Sequence, residues 1–249
     1  MTAKKRIHFL DEIRGFCVFC MVFDHALFTL GYMFYHDFSR AFFDILSYIS
    51  PLFATAFVLM CGISCMLSTN NLKRGIKILA AAFAVTLFSL FAMKDAPIVF
   101  GILHLLGSCV VLYALTKKYV DRIPALLGII VCALLFLVTY NVDKGYLLSG
   151  PFRVNLPQSI YESGSFMMFG FRSPYAAYSD YFPLLPWLFA FFAGVFLGRS
   201  LSKARLPEGM YKSRIPFLSM LGTNAFFVYL VHQPLIFGVY YLISLCGGI

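Results

Sequence analysis

Apolar residues run through the chain in long stretches separated by short polar or basic segments. A hydrocarbon core of about 30 Å takes about 20 residues of α-helix to cross. The stretches near 13–35, 45–67, 76–93, 97–116, 123–142, 181–199 and 224–246 therefore predict seven crossings. The uncharged run from Ile215 to Ile249 is too long for one crossing, so 213–222 predicts a short interfacial helix that breaks at Gly222. The fold class is all-α: a polytopic membrane helix bundle of about seven transmembrane helices. It forms a single domain over 1–249, with a long polar segment at 143–180.

The polar residues inside these stretches carry the chemistry. Asp24 and His25 stand in the middle of the first. An ionised Asp near a helix centre costs about 2.5–3.5 kcal/mol to insert, so such residues usually mark a functional interior. Arg14 lies eleven residues before His25, and His36 eleven after it. Eleven steps return to within roughly 20° of the starting direction and rise about 16 Å. Arg14, His25 and, for a helix that reaches so far, His36 thus predict one polar stripe. It would offer a charged anchor at the inner mouth, a base at depth and an outer histidine.

Further along, His104 sits between Gly101 and Gly107, where helices can approach closely. It suits an interhelical hydrogen bond or a ligand contact equally. Asp180 precedes Pro183, Pro186 and Trp187, and fits a cap on the sixth crossing or a group facing substrate. In the last crossing, Asn224, Tyr229, His232 and Gln233 lead to Pro234, which leaves the Leu230 carbonyl without its helical donor. A kink flanked by His and Gln suits the lining of a cavity.

Composition agrees with the pattern. The chain is 61% hydrophobic and 12% charged, with mean hydropathy +0.83. Soluble domains carry roughly 45–50% apolar and 25% charged residues. With the N-terminus inside, 15 of the 20 basic residues fall on inner segments, Lys4, Lys5, Lys73, Arg74, Lys77, Lys117 and Lys118 among them. The positive-inside rule gives N-in, C-out. Topology accounts for the net charge of +9, so no nucleic acid is expected as a partner. Most inner charges need only enforce orientation, although some could meet a phosphate-rich ligand. Lys94 falls on an outer segment.

All seven cysteines lie in apolar stretches, and Cys17 and Cys20 form a C-x-x-C spacing with no second pair. No metal site or disulfide framework is expected. Asp11, Glu12 and Arg14 interrupt the apolar run after Lys4-Lys5-Arg6, so the first crossing reads as a retained anchor. The aromatic residues of 143–180 suggest a lid or an acceptor platform at the outer face. No GxSxG, P-loop, GxGxxG or HExxH motif occurs.

Leu10-Asp11-Glu12-Ile13-Arg14-Gly15-Phe16 followed by Met21-Val22-Phe23-Asp24-His25 resembles the opening of heparan-alpha-glucosaminide N-acetyltransferase-like catalytic domains, within the wider group of transmembrane acyltransferases. Pro51-Leu52-Phe53 with Cys61-Gly62-Ile63-Ser64 is similar to that family's second-span block. Phe100 to His104, Asp180 to Arg199 and Gly222 to Pro234 are similar to its later ones, in order. The resemblance implies an enzyme that takes an acetyl group from cytosolic acetyl-CoA. The acetyl passes to a hydroxyl or amino group of a glycan or small molecule at the outer face. The wider group has an arginine and a histidine with ten residues between them in its first span, matched by Arg14 and His25. The lysosomal enzyme's essential histidine lies nearer the outer end, and an ungapped count from Met21 puts it at His36. The 249 residues include neither that enzyme's large luminal domain nor its extra spans, so heparan itself is not carried over.

Acyl transfer needs a base at the nucleophile and donors for the developing oxyanion. His25, oriented by Asp24 or a neighbour, suits the first role, with His36 as the second catalytic histidine. His104, Asp180, Asn224, Tyr229, His232 and Gln233 are the candidates on the substrate side. Arg14, Arg74 and Lys77 are the candidates for the acetyl-CoA phosphates. A proton-coupled transporter is the alternative, since such a stripe would also relay protons. Only one helix break is expected and no internal repeat, whereas transporters often show paired breaks. The expected setting is a bacterial-type plasma membrane, multi-pass, with the bilayer as partner; a homodimer is left open.

Overall fold

A computed structural model describes residues 6–92 and 97–247. Lys4, Lys5 and Lys94 lie outside the described residues. The helices in order are α1 His8–Phe28, α2 Asp37–Leu46, α3 Ser50–Cys65, α4 Asn71–Ala92 and α5 Ile102–Val120. They continue as α6 Ala125–Thr139, α7 Ser159–Glu162, α8 Leu184–Lys203, α9 Pro216–Thr223 and α10 Ala225–Leu245. Strands β1 (Tyr146–Leu147) and β2 (Val154–Asn155) form an antiparallel pair, with Tyr146 opposite Asn155.

The fold is all-α, as predicted. Among the described residues, five helices are long and apolar enough to span a bilayer, or six if α2 and α3, bent by 57°, count as one broken span. The predicted crossing at 97–116 is the main difference. Residues 97–101 are not helical, and Lys117 and Lys118 occupy the last turn of α5. The apolar part of α5 is therefore shorter than the predicted stretch. The predicted crossing at 45–67 is divided by the turn at 47–49, after which Pro51 sits in the first turn of α3. Within 143–180, the longest helical piece among the described residues is α7, of 4 residues.

The chain divides into two compact units, Met1–Met60 with Arg205–Ile249, and Cys61–Ala204. In the first, α1 lies along α9. A side chain on Gly15 would strike the Leu218 carbonyl, and one on Gly222 would strike the Asp11 carbonyl. Only glycine lets the two backbones touch. The acidic residues of α1 complete this contact. Glu12 Oε1 accepts from Arg214 N at 2.6 Å, Ile215 N at 2.9 Å and Ser213 Oγ at 3.2 Å. It thereby serves the start of α9, where backbone donors have no helical acceptor. Asp11 accepts from Arg6 Nε at 2.7 Å and Arg14 Nη1 at 3.1 Å. Arg6 also reaches Thr223 Oγ1 at 2.7 Å, and Arg14 reaches the Gly222 carbonyl at 3.2 Å. The helix break falls at Asn224, not at the expected Gly222, because Gly222 is committed to the contact with α1.

In the second unit, α4 lies along α5 and α6 along α8. Leu105, Val110, Tyr113, Phe191 and Val195 are buried in its core. Arg199 on α8 donates to the Val120 carbonyl at 3.1 Å and to the Ile123 carbonyl, capping the end of α5.

Candidate functional site

The first unit gathers most of the polar residues singled out above. His25 Nδ1 lies 3.2 Å from Gln233 Oε1, and Gln233 Nε2 donates to Thr29 Oγ1 at 3.1 Å. A carboxamide oxygen only accepts, so Nδ1 carries the proton and the neutral ring keeps its lone pair on Nε2. The His232 ring meets the His25 ring edge-on, with centroids 5.0 Å apart and planes at 84°. His232 Nδ1 donates to the Tyr229 carbonyl at 2.6 Å, and the Tyr229 ring lies 5.4 Å from the His232 ring. Tyr229 and His232 are buried, whereas His25 is half-buried. One imidazole is therefore held at one nitrogen by a two-link chain, with its basic nitrogen on the other side. That is the arrangement of a general base.

Thr29 is fully buried and opens a π-helical turn, Thr29–Met33, in which Phe34 N reaches the Thr29 carbonyl at 3.2 Å. Such single turns occur frequently at functional sites. The turn also ends the predicted stripe. Tyr35 adopts a left-handed backbone with φ 59, and His36 becomes the cap of α2 instead of extending α1. His36 Nδ1 accepts from Ser39 N at 3.3 Å, which puts the proton of its neutral ring on Nε2, at an exposed position.

Asp24 accepts from Ser50 Oγ at 2.6 Å, so the group that orients His25 is Gln233 and not Asp24. Arg14 and His25 do share α1, as the spacing predicts. Arg14 and Arg6 both donate to Asp11, which joins the two guanidiniums in one cluster. Asn224 donates to the Met220 carbonyl at 2.9 Å, one turn back on α9.

The remaining candidates belong to the second unit. His104 is 4% exposed, between Phe83 and Phe100 with centroids at 5.4 and 5.5 Å. Its Nε2 lies 3.3 Å from Thr86 Oγ1, whose hydroxyl goes to the Ile98 carbonyl at 2.8 Å. Thr86 must then accept from His104 Nε2. Asp180, with φ 48, accepts at Oδ2 from Ile102 N at 3.3 Å. It serves the start of α5, not the start of α8, where Pro183 takes the cap position. Arg74 points its guanidinium at Cys61 Sγ, 3.3 Å away, and Cys65 Sγ, 3.9 Å away, and Lys77 is exposed on α4. Among the described residues, no group of three His, Cys, Asp or Glu could hold a metal ion.

Sequence reasoning missed Thr29, Ser50 and the clamp made by Arg6, Asp11 and Glu12. Thr29 had one available signal, its position four residues after His25 on the same helix face. A comparison with protein families finds a match over residues 6–234 to the family described as heparan-alpha-glucosaminide N-acetyltransferase, catalytic. Comparisons with curated proteins and with solved structures find no match.

Proposed function

We propose an acetyl transfer from acetyl-CoA at the inner membrane face to a hydroxyl or amino group at the outer face, because this chain belongs to the heparan-alpha-glucosaminide N-acetyltransferase catalytic family. Membership and the apolar helices make it a multi-pass membrane acetyltransferase. The donor, the acceptor class (a glycan or small molecule) and the residue roles below are our reading. The observation that carries it is the chain His25–Gln233–Thr29.

In this reading His25 Nε2 takes the proton of the acceptor O–H or N–H as its heteroatom attacks the thioester carbonyl. The tetrahedral intermediate collapses, the C–S bond breaks, and the imidazolium returns the proton to the departing CoA thiolate. Gln233 is a positioning residue that holds the tautomer from the opposite nitrogen. Tyr229, against His232, is our candidate donor to the developing oxyanion. His36, exposed beyond the π-turn, is assigned to the acceptor at the outer end, where its Nε2–H can donate. Arg14 is assigned to a CoA phosphate. It lies about 16 Å from His25 along the helix axis, a distance left to the pantetheine arm.

Labelled acetyl-CoA tests the assignment in purified protein. His25→Ala is expected to bind the donor normally and to transfer acetyl about 10²–10⁴-fold more slowly, and Arg14→Ala to bind the donor about tenfold or more weakly. Normal binding and normal transfer in both variants would remove the stripe from the chemistry.

A further inference from the structure

One charged cavity in the second unit takes no part in the proposed transfer. It has a volume of about 240 Å³ and lies where the α5–α6 turn meets the end of α8, lined by Asp121, Arg122, Ile123, Arg199, Ser200 and Lys203 among others. The acid in this lining is already committed, because Asp121 pairs with Lys117. Among the described residues, Arg122 and Lys203 have no carboxylate partner. Arg199 is pinned in place by the carbonyls of Val120 and Ile123. Three cations thus border one cavity without a matching anion from the chain.

The neighbouring surface is the opposite of polar. Ile123, Leu126, Leu127, Ile130 and Leu134 are 40%, 71%, 51%, 48% and 58% exposed, so an apolar strip along α6 begins at the edge of the cavity. A ligand that fits both features has an anionic head and hydrocarbon chains. Basic pockets between transmembrane helices on the cytoplasmic side are known to hold the head groups of anionic lipids. All three cations stand at helix ends that the positive-inside reading assigns to that side.

We infer that the cavity formed by Arg122, Arg199 and Lys203 binds the phosphate of an anionic phospholipid whose acyl chains lie on α6. A soluble phosphate compound shares the head-group chemistry and lacks the chains, so the test separates the two.

The full chain would be purified in a neutral detergent and titrated with phosphatidylglycerol, phosphatidylcholine, inorganic phosphate and acetyl-CoA, with bound lipid counted by native mass spectrometry. Phosphatidylglycerol is expected to bind saturably and phosphatidylcholine is not. The double variant Arg122→Gln/Lys203→Gln is expected to weaken phosphatidylglycerol about thirtyfold, from the usual worth of two basic residues at a lipid surface. Arg122→Lys with Lys203 intact should retain binding, which separates a lost charge from a lost fold. The control Arg205→Gln/Lys212→Gln removes the same charge from the other unit and should leave binding unchanged. Equal loss in both double variants would overturn the site in favour of general surface attraction. Full displacement by inorganic phosphate or by acetyl-CoA would overturn the lipid in favour of a soluble ligand.

Discussion

His25 in α1 and His104 in α5 both lie within apolar helices, and each donates one ring N–H to a neighbour. Their surroundings separate them. His104 is closed between two phenylalanine rings at 4% exposure, and its partner Thr86 ends on a backbone carbonyl. His25 is half-buried, faces a second histidine, and is held by a glutamine that is itself held by Thr29. A base needs a nitrogen that a substrate can reach on a ring that cannot turn. On our proposal His25 is that base, its ring held by Gln233. His104 has the fixed ring and no opening, which is the arrangement of a packing residue.

Four substitutions sharpen or break this contrast, and the largest effect belongs to His25→Ala. Acetyl transfer should fall about 10²–10⁴-fold, the usual worth of a general base, with donor binding kept. Gln233→Leu comes next, with kcat down about tenfold to a hundredfold and KM held, because a buried donor left without a partner costs about 1–3 kcal/mol. A loss confined to KM would make Gln233 a substrate contact instead. Arg14→Ala should raise the KM for acetyl-CoA about tenfold or more, since hydrogen bonds to charged groups contribute about 1.5–3 kcal/mol. Its kcat should hold, and Arg14→Lys should recover part of the loss. The smallest effect is expected for His104→Leu, which keeps its transfer rate and loses about 2–4 °C in Tm for about 1 kcal/mol of hydrogen bond. If that variant loses transfer as fully as His25→Ala, the distinction between the two histidines fails.

The sequence made the apolar helices and the Arg14–His25 pair legible, because both residues fall on one uninterrupted helix and obey its period. His36 escaped the same arithmetic. A π-turn adds a residue to one turn of helix, and no hydrophobic period announces it. Gln233 could be named as a polar residue in an apolar helix, but its partner His25 lies 208 positions away, beyond any local pattern. Asp180 was read against the helix that follows it in sequence, yet it serves Ile102, 78 positions earlier. The helix expected from 97 begins later, at Ile102, a shift that no hydrophobic period announces.

The clamp of Glu12 on α9 also bears on how the protein is made. Arg214, Ile215 and Ser213, which donate to that one carboxylate, follow it by 202, 203 and 201 residues. Ribosomes deliver the N-terminal end first. Glu12 therefore waits for these three donors until about 200 further residues have been translated, whereas Asp11 is met at once by Arg6 and Arg14. A chain cut before Arg214 leaves that carboxylate without the three donors it has in the folded protein.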